Sequence, residues 1–162
     1  MSTGELELRP ATSHDAGVVA RIWHQGWQDA HQGNVPDELV AIRTKESFWQ
    51  RARQQVDETI VATVDSAIAG FVMVIDDEVE QVYVAADHRG TGVAAALLTA
   101  AEERVAKNGH AKAWLAVVAG NARARKFYER HGWTDEGPFD HAAPSEAGPI
   151  AVPAQRYTKP VS

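Results

Sequence analysis

From Val82 to Leu98 the sequence reads Val-Tyr-Val-Ala-Ala-Asp-His-Arg-Gly-Thr-Gly-Val-Ala-Ala-Ala-Leu-Leu: the end of a β-branched run, a loop with two glycines and the start of an alanine-rich helix. No other segment constrains the fold as tightly, because a strand that hands over to a helix through so short a loop must pack that helix against its own sheet. The same junction leaves the N–H groups of the helix's first turn without intrahelical partners, at the positive end of the helix dipole. Such a terminus suits a phosphate, and glycine lets a ligand approach the main chain closely. Gly90-Thr91-Gly92-Val93-Ala94-Ala95 also fits the G-x-G-x-x-G/A dinucleotide fingerprint. On its own the match separates neither one cofactor from another nor a phosphate site from a plain tight turn into a helix.

Around this junction the hydropathy periods lay out one domain over residues 1–162. Glu5 to Arg9 alternates as a short strand does and stops at Pro10. With Ser13 as N-cap and Asp15 in the first turn, Val19, Ile22, Trp23, Gly26, Trp27 and Ala30 recur at helical spacing, which predicts an amphipathic helix over His14 to Ala30. Gly33-Asn34-Val35-Pro36 breaks it. A short helix after Pro36 and a longer one from Lys45 to Val56 follow, the latter packing through Phe48, Trp49 and Ala52.

Thr59 to Val64, Ile68 to Ile75 and Glu78 to Val84 are rich in β-branched residues and separated by Asp65-Ser66 and Asp76-Asp77, a pattern that predicts a three-stranded antiparallel meander. Past the glycine loop, Val93, Leu97, Ala101 and Val105, with Ala94 and Leu98 beside them, form the buried stripe of a helix ending at Asn108-Gly109. Ala113 to Val118 reads as a short buried strand and Asn121 to His131 as a helix closed by Gly132. The tail from Trp133 to Ser162 carries Gly137-Pro138, Pro144, Gly148-Pro149 and Pro153; it predicts two short strands joined by a long loop, with Gln155 to Lys159 as the last strand.

Composition removes several function classes. Sixteen Lys and Arg against 22 Asp and Glu give a net charge of −6, and no basic run is present to track a nucleic-acid backbone, so no nucleic-acid partner is expected. The opening Met-Ser-Thr-Gly-Glu-Leu-Glu-Leu-Arg-Pro is acidic where a signal peptide is basic and then apolar, and the longest apolar stretch, Ala67 to Ile75, is too short to span a bilayer. No membrane partner and a cytoplasmic location are therefore expected. The chain has no cysteine, which excludes disulfides, thiolate metal sites and a cysteine nucleophile. The seven histidines lack close paired spacing, and no metal site is expected.

Context narrows the glycine loop. A dinucleotide fold places it after the first strand of a βαβ unit, with an acidic residue about 20 positions later on the ribose. Here several mostly antiparallel strands precede it, and His110 to Ala119 offers no carboxylate. A nucleoside-triphosphate loop needs Gly-Lys-Ser/Thr, which is missing. What remains is Arg-x-x-Gly-x-Gly/Ala, met by Arg89 to Ala94, and Asn-x-x-Ala-x-x-Phe-Tyr, met by Asn121 to Tyr128. With the meander before them and Glu78-Val-Glu-Gln-Val-Tyr-Val84 between, these motifs resemble the GNAT (GCN5-related N-acetyltransferase) superfamily, over Leu6 to Gly132 and more loosely in the tail.

The resemblance implies a mixed α/β fold: a mostly antiparallel sheet of about six to seven strands, splayed between the fourth and fifth and flanked by helices. It implies acetyl-CoA as co-substrate, its pantetheine arm lying along the main chain of Val82, Tyr83 and Val84 as an added strand. The pyrophosphate is then expected on the N–H groups of Gly90, Thr91, Gly92, Val93 and Ala94, with Arg89 nearby and Asn121 contacting the pantetheine or neighbouring main chain. Tyr128 matches the residue whose hydroxyl protonates the departing thiolate. Amine acylation also needs a proton acceptor. Glu80 and Glu78, two apart and on one face if the strand is regular, are the candidates, Glu80 being nearer the splay.

The resemblance implies as acceptor a primary amine of a small molecule, a peptide or a protein, and the sequence leaves its identity open. Trp23 and Trp27, four apart on the apolar helix face, read as core with a share in the acceptor wall; His24 and His31 flank that face, with His31 a substrate-binding candidate. Asp140, His141 and Glu146 fall in the proline-rich tail, expected as a solvated loop. A non-catalytic acyl-CoA-binding module, a longer acyl donor and self-association into a homodimer stay open as alternatives.

Overall fold

The computed structural model describes residues 5–31, 35–145 and 147–161, without the side chains of Ala30 and His31. Seven strands form one sheet: β1 (Leu6–Pro10), β2 (Thr59–Val64), β3 (Ala67–Ile75), β4 (Glu78–Val84), β5 (Lys112–Val118), β6 (Thr134–Ala143) and β7 (Ile150–Pro160), in the order β1-β2-β3-β4-β5-β7-β6. β1 to β4 are antiparallel neighbours, joined within the meander by two-residue turns at Asp65-Ser66 and Asp76-Asp77. Asp65 (φ 52°), Ser66 (φ 70°) and Asp76 (φ 58°) take the left-handed conformation these tight turns need, which short polar side chains tolerate better than β-branched ones.

β4 and β5 run parallel and pair at a single register, Glu78 opposite Trp114. Past that point they diverge, and β5 turns its other edge to β7 from Lys112 to Val118. The expected mixed sheet, splayed between its fourth and fifth strands, is what the chain builds.

Alternation along the strands divides the core in two. Phe71 and Met73 meet Trp23, Phe48 and Ala52 from α1 (Ala16–His31) and α3 (Lys45–Gln54); between these two helices lies α2 (Asp37–Ile42). Val72 and Val74 join the cluster of Leu97, Leu98, Ala101 and Val105 from α4 (Val93–Lys107), so the two helical layers cover opposite faces of the sheet. The α4 stripe is the one its spacing predicts. α5 (Ala122–Arg130) adds Phe127 and Tyr128 to this second cluster.

Three local expectations are corrected. The first helix is capped at Thr12 rather than Ser13, because the Thr12 N–H donates to Asp15 Oδ2 at 2.7 Å and a 3₁₀ turn at Ser13–Asp15 precedes α1. Trp49 does not pack inward: it is 40% exposed, lying under the Arg53 guanidinium, while Phe48 and Ala52 are buried. The tail strands are long, and the loop joining them shrinks to residues 144–149. Proline permits this because β6 is an edge strand whose register shifts at Gly137-Pro138, and Pro153 lies just beyond the last β5–β7 pair, Val118 with Ala154. Asp140 and His141 therefore sit on a strand and not in a loop; Glu146 lies outside the described residues.

Candidate active site

The divergence of β4 from β5 opens a cleft of about 630 Å³. One edge of Val82, Tyr83 and Val84 pairs with Val72, Phe71 and Gly70 of β3; the other borders the cleft, with no β5 register opposite it. This unpaired edge offers main-chain donors and acceptors to an extended ligand. The Tyr83 ring lies against α1 at Gly26, where an added Cβ would fall 2.3 Å from Tyr83 Cδ1. Only glycine fits there, a packing requirement that helical periodicity does not reveal.

At one end of the cleft, β4 gives way to the glycine loop. Gly90 (φ 79°) and Gly92 (φ 91°) are left-handed with open space around both, and Gly92 caps α4. The first intrahelical bond runs from the Ala96 N–H to the Gly92 carbonyl at 3.1 Å, so the N–H groups of the turn before it are available. Gly90, Gly92 and Ala94 line the cleft; the Val93 side chain is buried in the core, and Thr91 turns its hydroxyl to the His88 carbonyl. Arg89 lines the cleft but is not a free cation: its guanidinium meets Asp29 of α1 at 2.9 Å and its Nε donates to the Val84 carbonyl at 3.4 Å. Both partners of that ion pair are substantially exposed, which makes it weak and exchangeable.

Asn121 caps α5, accepting from the Ala124 N–H at 3.2 Å, and also lines the cleft. Two turns on, Tyr128 packs against Phe127, Trp133 and Tyr157 with ring centroids 5.4, 6.2 and 6.1 Å away. Burial pushes its phenol up to about 12, so the hydroxyl stays protonated across ordinary pH. That hydroxyl has no hydrogen-bond partner among the described residues. The Tyr83 phenol is raised as well, by burial and by the neighbouring Tyr128.

The two glutamates do not lie on a regular strand. Met73 pairs with Gln81 but Val74 pairs with Val79, leaving Glu80 as the extra residue of a β-bulge. The condition for placing Glu78 and Glu80 on one face by alternation therefore fails, yet both line the cleft because the bulge re-aims the strand. Burial raises the Glu80 carboxyl above its ordinary value, helped by the Glu78 charge and opposed by Arg51 and by the neighbouring Gln55 and Gln81 amides. Glu78 faces His141 of β6, Oε2 to Nε2 at 3.8 Å.

Beyond the glutamates the cleft wall is helical. Trp23 is fully buried and Trp27 nearly so, packed on Phe48 at 5.4 and 5.8 Å, and both also border the cleft; core and wall coincide. His24 stacks on Phe48 at 5.2 Å; the His31 side chain lies outside the described residues. Two arginines that sequence reasoning passed over complete this end. Arg51 lies over the Trp23 ring, 4.4 Å from its centroid, and Arg43 is 9% exposed and donates to the Pro144 carbonyl at 2.6 Å. A signal was there to read: Arg51 follows Phe48 by three and Arg43 follows Leu39 by four, putting each cation on a buried helix face. Among the described residues no group of three or more acidic or histidine side chains is placed to hold a metal ion, and no helix is long and apolar enough to cross a membrane.

Comparison with known proteins follows the same geometry. The family model described as acetyltransferase (GNAT) family matches residues 20–133. An uncharacterized N-acetyltransferase of Mycobacterium tuberculosis is 34% identical over 83 residues, 48% of this chain and 53% of its own, so the chain spans about half the length of the curated relatives it matches. The GCN5-related N-acetyltransferase of Rhodopseudomonas palustris superposes with a TM-score of 0.74 at 23% identity, covering 99% of this chain and 97% of that one. The PaiA N-acetyltransferase of Thermoplasma acidophilum, solved in complex with coenzyme A, gives a TM-score of 0.75 at 17% identity over 96% and 99% of the two chains. At these identities both structures share the fold.

Proposed function

The chain belongs to the acetyltransferase (GNAT) family, and on that footing we propose that it transfers an acetyl group from acetyl-CoA to a primary amine by direct attack in a ternary complex. The observation that carries this reading is that the open edge of Val82 to Val84, the left-handed Gly90 and Gly92, and Tyr128 all border one cleft. The fit to acetyl-CoA is supported by the loop, where a Cβ at either glycine would meet nothing within 4 Å among the described residues. A cofactor-bound structural neighbour points the same way.

In this reading Val82 to Val84 hold the pantetheine arm, the N–H groups from Gly90 to Ala94 and the Arg89 guanidinium hold the pyrophosphate, and Asn121 caps α5 while facing the arm. When bound, acetyl-CoA supplies the activated thioester and its thiol leaving group. Tyr128 holds a proton at its hydroxyl and gives it up at the sulfur; a phenol held near 12 keeps that proton until the leaving group demands it. Glu80 accepts the proton of the attacking amine, directly or through water. Its raised carboxyl brings a glutamate closer to neutral pH, where a base works best. With no cysteine in the chain, direct transfer is the economical route.

A free-thiol assay with acetyl-CoA and a broad panel of amines tests the proposal. Release of coenzyme A that depends on amine, and falls steeply in Tyr128→Phe, is the expected result. No release with any amine, or wild-type rates in that variant, favours the alternative of an acyl-CoA-binding module.

A further inference from the structure

Arg43 and Arg51 come from α2's C-cap and from α3, and neither contributes to the donor-binding features of the proposed reaction. Both border the cleft alongside Glu80 and Glu78. Among the described residues no carboxylate approaches either guanidinium within ion-pair distance. Arg43 gives one N–H to the Pro144 carbonyl, and Arg51 rests on the face of Trp23. Arg43 is buried and Arg51 half-buried, and a guanidinium drawn out of water with no carboxylate in contact is expensive and seldom kept for packing alone.

The bland explanation is that Arg51 neutralises Glu80. The charges do feel one another, but a dedicated counter-ion would sit in contact and hold the glutamate below its ordinary value, whereas Glu80 is raised. Arg51 in turn is brought down to about 10, by burial first and then by Arg43. Two cations that disfavour each other at one end of a cleft form a surface complementary to an anion.

We propose that Arg43 and Arg51 form the acceptor-recognition subsite of this cleft and bind an anionic group, carboxylate or phosphate, carried by the same small molecule whose amine is directed to Glu80. The acceptor is thus a zwitterion of the amino-acid type, complementary in reverse to a wall with carboxylates at one place and guanidinium groups at the other. The planar guanidinium forks match a carboxylate with paired hydrogen bonds, and the Trp23 ring fixes the plane of one of them. A basic peptide or polyamine, by contrast, meets two unpaired cations here.

The inference rests on the acetyl-transfer reading for its amine, and the test separates the two. Coenzyme A release is measured with the common α-amino acids, with their carboxamides, and with 1-aminoalkylphosphonates, which divide carboxylate from phosphate recognition. At least one acid or phosphonate should exceed its neutral counterpart by about 10- to 100-fold in kcat/KM, the worth of a charge-assisted hydrogen bond or two. Arg51→Gln and Arg43→Gln should each collapse that preference through the acceptor KM, and Arg51→Lys should restore part of it. Equal use of acids and carboxamides, or a preference that survives both Gln variants, overturns the proposal. If no amine releases coenzyme A, the acids and carboxamides are titrated against tryptophan fluorescence without donor. A saturable change with an acid, absent with its carboxamide and lost in Arg51→Gln, upholds the anion subsite while the transfer reading falls; no change with any acid overturns both.

Discussion

At the α4 end the cleft presents main chain: the open edge of Val82 to Val84 and the N–H groups that follow Gly90 and Gly92. At the α3 end it presents side chains: Glu80 on a bulge, Arg51 over Trp23, Arg43 under the tail and His141 from the far edge of the sheet. The first surface suits a ligand whose contacts are generic, phosphate and amide. The second is assembled from side chains of three separate stretches of the sequence: α2 and α3, β4, and β6. On the proposed reading, donor recognition by backbone and acceptor recognition by side chains divide the cleft, and Tyr128 serves the chemistry between them.

The sharpest way to break that division is Tyr128→Phe, because this side chain is assigned to chemistry and to neither binding surface. Its kcat should fall by about 100-fold or more, the usual scale for losing a positioned proton donor. Both KM values should stay within about twofold, measured by coenzyme A release under saturating and limiting donor. A large rise in the acetyl-CoA KM would assign Tyr128 to donor binding instead. Glu80→Gln comes next, with an expected loss of about 30-fold in kcat/KM for the amine near neutral pH. Glu80 must be ionised to accept a proton and its carboxyl is raised, by burial and then by Glu78; the wild-type rate should therefore climb with pH through a limb above the ordinary carboxylate range. That limb should vanish in Glu80→Gln and move to lower pH in Glu78→Gln, where one repelling charge is gone. A limb unchanged in both would transfer the role to another base.

Gly92→Ala probes the backbone surface. The new Cβ would meet no atom, so the whole effect comes from holding alanine at φ 91° or from the loop relaxing away from it. The acetyl-CoA KM should rise about tenfold, equivalent to about 1.4 kcal/mol, with the acceptor KM unchanged. Equal changes in both would mean that the ends are mechanically coupled.

The same division explains what the sequence discloses. The glycine loop, the α4 stripe and the Asn121 to Tyr128 motif are local: each is read within one turn or one helix, because the constraint on main-chain conformation lies in the residues that adopt it. The meander is legible for the same reason, its turns carried by Asp65-Ser66 and Asp76-Asp77. The acceptor end is not, since it depends on which residues meet across the sheet. Glu80 reaches the cleft through a bulge that strand alternation does not foresee, and His141 through an edge strand that tolerates Pro138. Gly26 has a role only because the Tyr83 ring occupies the space of its missing side chain. Arg43 and Arg51 were open to detection as cations on apolar helix faces, but their common destination is a matter of tertiary packing.

The smallest expected effect lies outside both surfaces and tests whether the helical wall is held independently of the donor end. Arg9 grips Asp15 at 2.8 and 3.1 Å just before α1, the helix that carries Trp23 and Trp27. The Arg9 hydrogen bond, with a further one from the Thr12 N–H, holds the Asp15 carboxyl down to about 2. A carboxyl whose folded value is depressed stabilises the fold above its unfolded value near 3.9, and that contribution is lost as pH falls through the folded value. Arg9 is 43% exposed, so solvent screening reduces the gain. Asp15→Asn should accordingly cost only about 1 kcal/mol, or about 3 °C in Tm, at pH 7. The gap to wild type should narrow between about pH 4 and pH 2. Thermal melts across that range check the sign, since a gap that widens on acidification would mean that Asp15 is held for something other than its charge. If α1 is seated by this clamp, the acceptor KM should drift upward in the variant and the acetyl-CoA KM less, because α1 reaches the donor surface through the weak Asp29–Arg89 pair and the packing of Gly26 on Tyr83.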